Sequence, residues 1–261
     1  MIKIKKINNE VVKAIPIECI PSDKIKGYCL FPDLYCNIFL VARKKSGKTS
    51  TIFKILKECI GKRTKVYLFA STIHKDDNLI HIVKYLKKKG IEVEIFTSSK
   101  GNLEEIMNNL QVEHDDEKEK KPKIKYIICN DEDDEKPKHR KEKKMSPEYV
   151  FVFDDLGAEM RNPAVNLLLK TNRHYRCKVI LSSQYVNDLM PESLKQIDYF
   201  LLFGGHSIDK LEKIYKDADL PVTFDLFLQL YKNATENKFN FLYIDTRDIK
   251  FRKNFNVEYQ M

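Results

Sequence analysis

From Cys36 onward, short apolar runs alternate with longer stretches in which apolar residues recur every three or four positions, the pattern of strands and helices in a parallel sheet. The runs 36–42 (CNIFLVA), 65–70 (KVYLFA), 91–96 (IEVEIF), 149–154 (YVFVFD), 178–183 (KVILSS) and 198–203 (DYFLLF) predict strands. Several are apolar at almost every position, as suits central strands covered on both faces. Helices are predicted over 48–60, 76–89, 102–111, 162–173, 192–197 and 207–217, and near 224–233. Two further β-like runs, 239–245 (FNFLYID) and 249–253 (IKFRK), are spaced to pair as a C-terminal hairpin.

Two stretches depart from this pattern. Residues 1–35 mix short apolar runs with Pro16, Pro21, Gly27 and Pro32, which predicts an N-terminal extension with a strand or two. Residues 113–148 alternate acidic and basic blocks around one apolar island, IKYIIC at 124–129, and read as a solvated, flexible insertion with at most one added strand. The expected organisation is thus an extension (1–35) followed by one α/β domain (36–261) carrying the insertion.

Composition narrows the class. The six cysteines form no CxxC pair and have no histidine at zinc-ligand spacing, so reduced, scattered thiols are expected. No run approaches the roughly 20 apolar residues of a membrane span. The N-terminus lacks the apolar core and cleavage site of a secretory leader, which predicts a soluble protein that stays inside a cell. A net charge of +9 favours a polyanionic partner, since each phosphate neutralised by Lys or Arg releases condensed counterions.

The strongest chemical signal is Ala42-Arg43-Lys44-Lys45-Ser46-Gly47-Lys48-Thr49, between a predicted strand and a predicted helix. It fits the phosphate-loop pattern G-x-x-x-x-G-K-[ST] except at its first position, where Ala42 replaces glycine. Residues 42–50, through Ser50, are therefore the expected nucleotide-binding stretch. Backbone N–H groups at the helix start would surround phosphate oxygens, Lys48 would reach the β- and γ-phosphates, and the Thr49 hydroxyl would ligate Mg2+. Alanine at position 42 carries a cost only if that position needs positive φ.

The run 149–153 ends in Asp154-Asp155, the form of a Walker B strand. Asp154 would hold Mg2+ and Asp155 would orient or deprotonate the attacking water. Further on, the strand 178–183 leads into Gln184, which could orient that water or report hydrolysis to the following loop. Arg173 and Arg176, in Asn172-Arg173-His174-Tyr175-Arg176, could act on a neighbouring subunit's nucleotide or simply complement a helix C-terminus.

The succession ARKKSGKT, YVFVFDDLG, TNRHYRCKVILSSQY and FLYIDTRDIKFRKNF resembles the poxvirus-type genome-packaging ATPases of the FtsK–HerA superfamily over roughly residues 36–255. The resemblance implies a RecA-like P-loop core with a largely parallel sheet. It also implies Mg2+-dependent ATP hydrolysis by a pentameric or hexameric ring and translocation of double-stranded DNA. A viral capsid or vertex protein would be the docking partner, at the viral assembly site in the host cell or in the virion. Within that family pattern Gln184 is the sensor-strand glutamine, and Arg173, with Arg176 second, is the trans arginine finger. Candidates for pore contacts are 185–190, 250–253 and the insertion.

Other readings share parts of this pattern. A helicase or plasmid-transfer ATPase would use the same core. A nucleotide switch would need a guanine reader, and Asn237-Lys238-Phe239-Asn240 ends in an amide where N-K-x-D has an acid. A small-molecule kinase would need an acceptor pocket that the sequence does not reveal, and a non-enzymatic DNA-binding protein leaves both catalytic motifs unexplained.

Overall fold

The six strands and the C-terminal pair of β-like runs predicted from residue 36 onward form, and all of them join one sheet. The computed structural model describes residues 21–120, 144–220 and 222–260. The elements are β1 (Asn37–Val41), α1 (Lys48–Cys59), β2 (Lys65–Ala70), α2 (Asp77–Lys88), β3 (Glu92–Phe96), α3 (Asn102–Lys120), β4 (Tyr149–Asp154), α4 (Pro163–Thr171), β5 (Cys177–Ser183), α5 (Pro191–Leu194), β6 (Tyr199–Phe203), α6 (Ile208–Asp217), α7 (Phe224–Ala234), β7 (Phe241–Asp245), β8 (Lys250–Lys253) and β9 (Val257–Glu258). The sheet order is β3-β2-β4-β5-β1-β6-β7-β8-β9. Strands β3 through β6 in that order run parallel, and β7, β8 and β9 continue antiparallel.

The two-residue period of the strands builds two apolar layers. Phe151 and Phe153 of β4 face one side, where Phe153 stacks on Phe69 at 4.8 Å and Phe151 on Tyr67 at 4.9 Å, under α3, α4, α6 and α7. Val150 and Val152 face the other, with Ile52, Ile55 and Leu56 of α1 and Leu79, Ile82 and Leu86 of α2. Helix starts are fixed locally. Asp76 accepts from the amides of Asn78 and Leu79, Asn162 caps α4 just before Pro163, and Thr223 caps α7.

The expected hairpin forms, β7 pairing antiparallel with β8, and β7 also pairs with β6, so the hairpin extends the main sheet. Two expectations change. Helix α3 runs to Lys120 rather than ending near residue 111. Its apolar period stops there, but the Glu- and Lys-rich continuation has good helix propensity and continues the backbone. Residues 21–35 hold a 3-10 turn, Ser22–Lys24, and a single bridge between Ile25 and Met145 instead of a strand. Residues 1–20 and the island 124–129 lie outside the described residues. The short edge strand β9 had no counterpart in the prediction. At the opposite edge, Glu92 and Glu94 of β3 pair with Lys65 Nζ of β2 at 2.8 and 2.6 Å.

Candidate active site

The carboxyl ends of the parallel strands share one edge of the sheet, and the sequence motifs converge there. Ala42 continues the β1–β5 ladder, its amide donating to Ser183 O at 2.9 Å. It is fully buried and lies outside the left-handed region, so the position tolerates a side chain without strain. The left-handed positions of the loop are Lys45 (φ 61) and Gly47 (φ 98). Gly47 caps α1, whose first-turn N–H groups have no intrahelical acceptors and open onto the loop. The Ser46 hydroxyl donates to Arg43 O at 2.6 Å and closes the turn below them.

Lys48 points back from α1 toward the acids at the tip of β4. Its Nζ lies 3.3 Å from Asp154 Oδ1 and 3.2 Å from Asp155 Oδ2. Both Lys48 Nζ and Asp154 Oδ1 are buried without an aligned hydrogen bond. Buried polar atoms left in this way are costly, and their placement fits an anion at the ammonium and a cation at the carboxylate. Burial pushes the Asp154 carboxyl above its ordinary pKa, against the pull of Lys48.

Asp155 adopts a left-handed backbone conformation (φ 53), a region where aspartate is enriched among non-glycine residues. Its amide donates to Ser182 O at 3.0 Å. Its carboxylate accepts from Gln184 Nε2 at 3.1 Å. Because β5 lies between β1 and β4, Gln184 at its end is interposed between the phosphate loop and the acids. Ser183 donates to Asp188, which ties the loop after Gln184 back to the strand.

Several contributors had no sequence signal. His206, just after β6, has Nε2 3.2 Å from Val41 O, immediately before the phosphate loop. Its amide donates to the Tyr231 hydroxyl at 3.1 Å, and that hydroxyl donates to Phe203 O at 2.8 Å. Burial lowers the pKa of His206, and its Nε2 donates to the Val41 carbonyl, which can only accept. Beside it Gly205 packs on Arg43: a Cβ there would meet Arg43 Cδ at 3.4 Å. On the β4 side, Glu159 accepts from the Ser98 hydroxyl and the Ser99 amide, each at 2.9 Å, and joins the β3 and β4 loops. These contacts link residues far apart in sequence, and no local spacing announces them.

Arg173 stands apart from this cluster. It precedes β5, at the opposite edge of the sheet, where its charge acts on Asp198. A strand the length of β5 spans roughly 20 Å, so Arg173 does not reach its own chain's Lys48. Arg176 shares that edge and pairs with Glu148 at 2.8 Å. Of the pore candidates, Tyr185 is exposed beneath Lys210 Nζ, 4.7 Å from its ring centroid. The segment Lys250–Lys253 is strand β8, with Phe251 buried.

Fold and geometry together define an α/β protein of the RecA-like P-loop kind. Neither a scan of family models nor a search of curated proteins finds a match. Among solved structures the chain is similar to the genome-packaging NTPase B204 of Sulfolobus turreted icosahedral virus 2 in complex with AMP. That match has 18% identity and a TM-score of 0.52, covering 88% of this chain and 99% of that one. The AMPPCP complex of the same protein matches at 20% identity and TM-score 0.53, covering 84% and 97%. The DNA-packaging ATPase B204 of Sulfolobus turreted icosahedral virus matches at 18% identity and TM-score 0.53, covering 83% and 95%. At these identities the likeness establishes a shared fold. No described helix is long and apolar enough to cross a membrane.

Proposed function

We propose that this protein hydrolyses ATP with Mg2+ to translocate double-stranded DNA, packaging a viral genome into a preformed capsid as a homo-oligomeric ring. The observation that carries the reading is the convergence of Lys48, at the start of α1, with Asp154, Asp155 and Gln184, at the ends of the adjacent strands β4 and β5. The likeness in fold to B204, whose solved complexes include nucleotides, supports it.

In the proposed reaction Lys48 and the α1 amides bind and orient the triphosphate. Thr49 and Asp154 would hold Mg2+, which neutralises charge on the phosphates. Asp155 orients the attacking water and accepts its proton, and Gln184 reports the change to 185–190 through its bond to Asp155. Arg173, on the far edge of its own chain, would serve the next subunit's nucleotide. The partner at the capsid, and action at the viral assembly site, are part of the same proposal.

The test is ATP hydrolysis with and without linear duplex DNA across protein concentrations. DNA-stimulated hydrolysis that rises with assembly is expected, with loss in Lys48→Ala, Asp155→Asn and Arg173→Ala. Mixing Arg173→Ala with Asp155→Asn is expected to restore part of the activity, because one intact site forms at each mixed contact. Hydrolysis indifferent to DNA and concentration would instead favour a monomeric kinase or switch.

A further inference from the structure

The loop between α7 and β7 closes against the start of α1. In it Phe239 is 57% exposed and holds a left-handed backbone (φ 71), an unfavourable combination for a bulky side chain. The turn is pinned from several directions. Asn240 N donates to Asn237 O at 3.2 Å, Asn254 Nδ2 donates to Asn240 Oδ1 at 3.0 Å, and Phe241 N donates to Asn254 Oδ1 at 3.1 Å. The ring rests on the phosphate loop, for a Cβ added at Gly47 would meet Phe239 Cδ1 at 3.3 Å. Its neighbour Phe255, by contrast, packs inward on Phe241 and Phe31 at 5.0 and 5.7 Å.

Beside the ring lies a cavity of about 370 Å³ lined by Gly47, Ser50, Thr51, Lys54, Phe239 and Phe255. Its position follows from the sheet order. The acids at the tip of β4 lie to one side of β1, and β6 and β7 lie to the other. Lys48 Nζ and Asp154 Oδ1, buried and ion-paired with each other but without an aligned hydrogen bond, mark where the terminal phosphate and its cation belong. A nucleotide anchored there would run back over Ser50 and Thr51, with its nucleoside end toward the β7 side and Phe239.

We propose that this cavity is the nucleobase subsite, with the Phe239 ring stacked on the face of the base. Aromatic stacking needs only a π-face on the partner, so the subsite supplies affinity without an acid that reads guanine. The stretch 237–240 then contributes through its aromatic residue. The inference rests on the nucleotide-binding reading above, and its test separates the two.

Equilibrium binding of Mg·ATP and of magnesium tripolyphosphate is measured for wild type, Phe239→Ala and Phe239→Tyr. Phe239→Ala is expected to weaken ATP binding about ten-fold while tripolyphosphate binding is unchanged, and Phe239→Tyr to retain both. The chain contains no tryptophan, so Phe239→Trp installs a single reporter whose emission should respond to ATP and not to tripolyphosphate. Equal ATP binding by wild type and Phe239→Ala overturns the subsite and leaves the phosphate loop intact. Parallel loss of ATP and tripolyphosphate in Phe239→Ala also overturns it, as disturbance of the loop itself. Failure of the wild type to bind either ligand overturns the nucleotide reading and the subsite with it.

Discussion

Asp154 is 4% exposed at the tip of β4, and burial holds its carboxyl above the unfolded value of 3.8 although Lys48 pulls it down. With the folded-state pKa raised, its contribution to stability is complete below pH 3.8 and is lost as pH rises through the folded pKa. At neutral pH the carboxylate is therefore a cost that the nucleotide-free protein carries. Asp154→Asn is expected to raise the Tm of that form at pH 7 by about 2–4 °C and to lose the gain on approach to pH 4. Lys48 keeps Asp155 at 3.2 Å, so its charge stays paired. Hydrolysis should fall to background. A lower Tm at pH 7, read by circular dichroism, would mean that the Lys48 attraction outweighs the burial cost. At this scale the sequence reveals groups whose position follows from a strand end: Lys48, Asp154, Asp155 and Gln184. His206 and Phe239 act through space on residues far away in the chain, and only the folded coordinates bring them to the loop.

Helix α2 shows how much of an element is written locally. The Asp76 side chain accepts from Asn78 N at 2.9 Å and supplies the cap that the helix itself lacks. Asp76→Ala is expected to lower stability by about 1 kcal/mol in urea denaturation with ATP binding unchanged, since α2 contributes none of the site's groups. Loss of nucleotide binding in this variant would instead connect α2 to the site. Strand boundaries were legible because each buried strand is a dense apolar run between polar breaks, as in β4. The end of α3 was not, because a charged helix has no apolar stripe to mark it. Nor was the place of β7: two alternating strands predict their own pairing, whereas the pairing with β6 depends on which edge the parallel sheet leaves open.

Across the molecule, the formal charge of +9 bears on the proposed duplex partner. Affinity for duplex DNA, measured by fluorescence anisotropy, is expected to fall linearly in log–log form with salt and to differ little between sequences, as phosphate contacts dictate. Strong sequence preference with a shallow salt slope would contradict transport along any duplex. The separation of Arg173 from the cluster follows from the strand predicted at 178–183. The interval between Arg173 and Gln184 is short along the chain, but β5 intervenes and places them at opposite edges.

The two lateral margins of the sheet have a further consequence. One is β3, guarded by Glu92 and Glu94, and the other is β9, only two residues long. Charge on one rim and brevity on the other discourage an incoming strand, so chains at high local concentration are protected from fibrillar stacking. Copies of this protein that associate are then expected to abut through side chains rather than through a backbone ladder at the edges the described residues form. Such contacts can part and re-form repeatedly without unzipping either subunit.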